Sequence, residues 1–174
     1  MGGAFHEARR RHRIHPLNEE AMSSPEVSVD SPAIANVLTI SPSDEDRRIL
    51  CDMLRRFHWA LYPNLKWEVH GSSSVASGLE YLRMHQVQVV LCEADLQLGS
   101  WSEILRRMAN LPWSPLLIVA SHRVDANLWA EALYLGAHAV LWKPFRCHEV
   151  FRSLRSSWLL WKARNQMPLT AGRV

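Results

Sequence analysis

The chain has no GxGxxG run and no Walker-type phosphate loop, and the turn after its first candidate strand, Ser41-Pro42-Ser43, contains no glycine. Close phosphate approach needs glycine backbone, so the common nucleotide-binding folds are excluded. No apolar run is long enough to span a bilayer. The N-terminus carries arginines but lacks the apolar core of a secretory signal. The three cysteines, Cys51, Cys92 and Cys147, form no CxxC pair and fall within predicted elements, which points to reduced thiols in a cytoplasmic protein. Neither sign of charge dominates: a formal +3 over 174 residues is too little to argue for nucleic acid.

What is present centres on 87–101, VQVVLCEADLQLGSW. Val87, Val89, Val90, Leu91 and Cys92 form a short β-branched run that reads as a strand buried on both faces. Two carboxylates, Glu93 and Asp95, follow it. Acids at the carboxyl end of a buried strand stand where open α/β sheets build their sites.

Around that strand the pattern alternates. Residues 1–35 lack apolar periodicity and are read as a disordered tail. Its cluster Arg9, Arg10, Arg11 and Arg13 is read as a solvated tail, with contact to nucleic acid or acidic lipid as the alternative, and His12-x-x-His15 has no further ligand at useful spacing. Met22 is a candidate alternative start. Strands are expected at 36–40, 66–70, 87–93, 116–120 and 139–142. A Ser43–Asp46 capping box opens the first helix, which carries Ile49, Leu50, Met53, Leu54 and Phe57 at helical spacing. Asp44 and Asp46 are read there as capping acids at the positive end of the helix dipole. The second helix carries Val75, Leu79, Leu82 and Met84, the third Ile104, Leu105 and Met108. The fourth spans 126–135 and ends at Gly136. The last, from Cys147, has the stripe Val150, Phe151, Leu154, Trp158 and Trp161. Five strands alternating with five helices make a doubly wound parallel sheet, flavodoxin-like, order 2-1-3-4-5, over residues 36–162, with a short tail at 163–174.

At the expected strand ends stand Ser41-Pro42, Glu93, Ser121 and Lys143-Pro144-Phe145. QVVLCEADLQLGSWSEILRRM, and LLIVAS followed by a helix ending LGAHAVLWKPF, resemble the receiver domain of bacterial response regulators. Glu93 and Lys143 lie 50 positions apart and Ser121 and Lys143 22 apart, both typical of that family. The resemblance implies phosphorelay signalling by an acceptor Asp, Mg²⁺ held by an acidic pair, and a lysine that neutralises developing charge. Here the pair matches Ser41 and Pro42, so Mg²⁺ binding is not expected and no cofactor is implied. The acceptor position falls on Glu93, with Asp95 as the alternative register. Ser121, Lys143 and Pro144 match the switch hydroxyl, the cationic partner and a cis peptide. The aromatic switch position is Val140; Trp142 is adjacent and expected on the opposite face of the strand.

No catalytic residue and no metal site is expected. The leading reading is a stand-alone degenerate receiver that signals by protein contact, with Glu93 facing Lys143 in a standing ion pair. No output domain is expected to follow. The interaction surface is placed on the fourth helix, fifth strand and last helix, where Leu128, Trp129 and Tyr134 leave apolar area beside Arg152 and Arg155. It would engage another signalling protein or a second copy, and no membrane. One alternative is a receiver phosphorylated on Asp95 or through a weakened metal site. Another is a nucleic-acid module using Arg146, Arg152, Arg155, Lys162 and Arg164, for which one basic helix is weak support.

Overall fold

The computed structural model describes residues 33–61 and 65–166. Its elements run β1 (Ala33–Ile40), α1 (Asp44–Leu61), β2 (Leu65–Ser72), α2 (Val75–Met84), β3 (Val89–Glu93), α3 (Trp101–Met108), β4 (Leu116–Ser121), α4 (Ala126–Leu135), β5 (Ala139–Trp142) and α5 (Cys147–Gln166). The strands form one parallel sheet in the order β2-β1-β3-β4-β5, as the sequence predicts. β1 starts at Ala33, earlier than expected, because it pairs residue for residue with β2 from Ala33↔Leu65 to Ile40↔Ser72. α5 runs on past Lys162 to Gln166. The arginine cluster and His12-x-x-His15 lie outside the described residues.

The sheet divides the core into two apolar layers. On one side Leu38, Ile40, Val90, Cys92, Leu117 and Val119 meet α2, α3 and α4 through Leu82, Ile104, Met108 and Ala132. On the other Val37, Val89, Leu91 and Ile118 meet α1 and α5 through Leu50, Leu54, Val150 and Leu154. Every residue of β3 is buried, which explains its unbroken apolar run.

Helix ends follow their sequence signals. Ser74, Ser100 and Asp125 each accept a hydrogen bond from the backbone N–H three residues on. Gly136 ends α4 at φ 107°, a left-handed conformation that other residues adopt only at a cost. Met84 departs from the expected apolar stripe: it is 72% exposed, at the last position of α2, where the helix has passed the edge of the core. No helix of the described residues is long and apolar enough to cross a membrane.

Candidate functional site

Parallel winding brings the carboxyl ends of β1, β3, β4 and β5 together with the first turn of α1. Glu93 ends β3, and Ser41 follows β1. Lys143 follows β5, its peptide bond to Pro144 is cis, and its backbone N–H bonds to the Ser121 carbonyl. Alternation along the strand turns the lysine inward, where it is 3% exposed, while Trp142 next to it is 56% exposed on the other face.

The Lys143 Nζ contacts Glu93 Oε1 at 2.8 Å and Asp46 Oδ2 at 2.6 Å. Ser41 Oγ donates to Glu93 Oε2 at 2.7 Å and accepts from Ser43 N at 3.1 Å. Glu93 is therefore bonded at both oxygens. One ammonium faces two carboxylates, and the excess negative charge rests nearest solvent: the Asp46 side chain is 21% exposed, that of Glu93 11%. The space left among Thr39, Ser41, Asp46, Leu50, Glu93 and Lys143 is about 10 Å³. That is room for about one water between the side chains.

Asp46 corrects its reading as a capping acid. Its backbone N–H does bond to Ser43 Oγ, at 3.3 Å, as a capping box requires. Its carboxylate, however, crosses to Lys143. The signal was present in the helix period: Asp46 stands four residues before Leu50 and eight before Leu54, on the stripe that faces the core. An acid on that stripe, in the first turn, points at the carboxyl ends of the strands. Asp44 instead pairs with Arg47 on the outside at 3.0 Å.

Ser121 and Asp95 form a second, separate pair. Ser121 Oγ donates to Asp95 Oδ2 at 3.2 Å and accepts from Arg123 N at 2.9 Å. Asp95 is exposed in the loop after β3, whereas Glu93 is buried. The switch hydroxyl thus engages the loop acid and makes no bond to Glu93.

The residues present do not fit Mg²⁺. That ion demands several oxygen ligands in octahedral array. Both inward carboxylates are shared with one ammonium, Ser41 is committed to Glu93, and Pro42 has no side-chain donor. Among the described residues no group of three His, Cys, Asp or Glu is placed to hold a metal. Cys92, between the core and Glu93, has its thiol pushed up to about 12 by burial and then by the neighbouring charge.

The α4–β5–α5 surface carries Trp129, 53% exposed, and Tyr134, 89% exposed, beside the exposed Arg152 and Arg155. Leu128 is corrected: it is half-buried and, like Val140, packs against the core. Leu135 and Trp142 supply exposed apolar area that the sequence reading did not count. A groove of about 820 Å³ runs between Trp129, Val140, Trp142, Phe145 and Arg152. On α5, Lys162 lies over the Trp158 ring at 5.3 Å, and Trp161 donates its indole N–H to the Trp113 carbonyl.

No protein-family model matches the chain, and no curated protein matches its sequence. Solved structures do. A response regulator receiver domain from Clostridium thermocellum superposes with a TM-score of 0.63 at 19% identity, over 75% of this chain and 98% of its own. The signal receiver domain of an HD domain-containing protein from Pseudomonas fluorescens gives 0.57 at 22%, over 74% and 98%. A response regulator from Thermotoga maritima gives 0.61 at 17%, over 72% and 98%. The fold is that of a response-regulator receiver domain. Within this fold Glu93 and Ser121 close β3 and β4, and Lys143 follows β5.

Proposed function

We propose that this chain is a receiver-like signalling module of the cytoplasm that works without phosphorylation, through protein contacts. One observation carries the reading: the carboxylate at the acceptor position is bonded at both oxygens, to Lys143 and Ser41, in a space of about 10 Å³. A phosphoryl group needs a free oxygen, room, and charge compensation. Here the compensation is already used, since Lys143 holds Glu93 and Asp46 together. The pair stands in for the phosphorylated state with one negative charge where a phosphoryl group brings nearly two. The output surface is α4–β5–α5, and its groove takes another signalling protein or a second copy.

A second reading is favoured by the exposure of Asp95 and its bond to Ser121. An accessible carboxylate beside a hydroxyl is a candidate phosphate acceptor, with no cation beside it among the described residues. Incubation with Mg²⁺ and a small phosphodonor, followed by intact-mass measurement, separates the two. The first reading expects no adduct. An adduct that disappears in Asp95→Asn establishes the second and removes the first.

A further inference from the structure

β2 forms one edge of the sheet, and it is an eight-residue strand. The N–H of Ser41 bonds to the carbonyl of Ser72, so the even-numbered residues of β2 turn their backbone groups toward β1. The outward row belongs to the odd-numbered residues. Nothing among the described residues pairs with the outward N–H and C=O of Trp67 or Val69. Such an edge is a template for another strand, and proteins commonly blunt it with charge. The charges here are Lys66 and Glu68, half-exposed neighbours on one face of the strand, with Lys66 Nζ 2.7 Å from Glu68 Oε1.

We propose that the β2 edge pairs antiparallel with β2 of a second copy, about a two-fold axis through Trp67. An isologous pairing obeys its own arithmetic. With the axis at Trp67, Lys66 of each copy stands opposite Glu68 of the other, twice. Both pairs occupy the non-hydrogen-bonded position, where opposing side chains approach most closely. Moving the axis one residue sets Glu68 against Glu68, or Lys66 against Lys66. Charge therefore favours the register centred on Trp67 over its immediate neighbours, and the same charges oppose an unrelated apolar strand.

The backbone agrees with that register. Trp67 is an outward residue, so at the axis the two Trp67 residues exchange both hydrogen bonds. Their side chains lie on the α1 side of the sheet, beside a groove of about 650 Å³ lined by Cys51, Leu54, Arg55, Trp67 and Val69. Aromatic cross-strand pairs add to such a ladder. The pairing makes one continuous ten-stranded sheet and leaves α4–β5–α5 open for a different partner. It involves no residue of the Glu93 site, so it stands or falls independently of the signalling reading.

The test uses the full chain and two charge reversals, Lys66→Glu and Glu68→Lys, both at half-exposed side chains. Sedimentation velocity from micromolar to several hundred micromolar should show a reversible dimer of the wild type. Each reversal places like charges opposite one another and should weaken the dimer at least about tenfold. Mixed in equal amounts, the two variants regain complementary pairs and should form a heterodimer, visible by native mass spectrometry. A monomeric wild type overturns the proposal. So does a single variant that dimerises as the wild type does, or a mixture that stays monomeric.

Discussion

Replacing Lys143 with Met is the sharpest test of how the inward cluster is held. Lys143 is the shared partner of two carboxylates, at 2.6 and 2.8 Å, and its side chain is 2% exposed. Without it Glu93 is buried beside Asp46, and among the described residues Ser41 is the one side-chain donor left to it. Breaking a buried pair by removing one partner costs about 3–5 kcal/mol. Asp46 reaches water more easily, which places the expectation near the lower end, about 3 kcal/mol. With a urea dependence of about 1–3 kcal/mol per molar, the midpoint should fall by roughly 1–3 M. Glu93→Gln is a different perturbation. Lys143 keeps Asp46, and the amide oxygen still accepts from Ser41, so the cost should be about 1 kcal/mol. Lys143→Met in a Glu93→Gln background should cost less than in the wild type, because less buried charge is left unpaired. Urea unfolding with an unchanged slope reads all three values. The reasoning fails if Lys143→Met costs under about 1 kcal/mol, or if Glu93→Gln costs as much.

Three further outcomes follow from other parts of the molecule. Native Cys92, with its thiol pushed up to about 12, should resist iodoacetamide at pH 8 while exposed Cys147 reacts; intact mass counts the labels, and equal rates would refute the burial. His138 is held below its ordinary value of 6.5, first by burial and then by Arg164. The unfolded chain thus binds the proton more readily, so stability should fall as pH drops through that value, and His138→Gln should flatten the fall in urea midpoint. Gly78→Ala should destabilise by about 1–3 kcal/mol despite the better helix propensity of alanine, because its methyl would lie 2.5 Å from Cδ1 of the buried Ile40; a stabilised variant in thermal melts would show that Ile40 gives way freely.

The winding was legible because each strand is a short apolar run between helix caps. Ser74, Ser100, Asp125 and Gly136 punctuate the chain where the structure ends its elements. Glu93 and Lys143 were legible as partners because their strands end on the same side of the sheet. Two things were not. Asp46 carries both a backbone capping role, visible in local sequence, and a side-chain role that depends on where the first turn of α1 meets Lys143 after β5. Ser121 matched a family position, but its choice of Asp95 over Glu93 depends on loop geometry after β3. Leu128 and Met84 failed for a related reason. Helical periodicity assigns a face, and only packing decides where along the helix that face meets the core.

A switch needs an element with two arrangements of similar free energy, and a signal that favours one of them. In this chain the parts that would move are each occupied. Lys143 is divided between Glu93 and Asp46, Ser121 is bonded to Asp95 and to the Arg123 N–H, and the half-buried Val140 packs against the core. Shifting a strongly biased equilibrium takes several kcal/mol of differential binding, about 5.5 kcal/mol from one extreme to the other. Both oxygens of Glu93, the carboxylate at the acceptor position, are already engaged by Lys143 and Ser41. On the proposed reading the α4–β5–α5 surface is presented constantly, and control would pass to whatever sets the amount of the protein and the availability of a partner. Glu93→Gln should then alter affinity for that partner by a fixed factor, with no dependence on phosphodonor. A phosphodonor-dependent change in binding by the wild-type protein would return the switch to the chain itself.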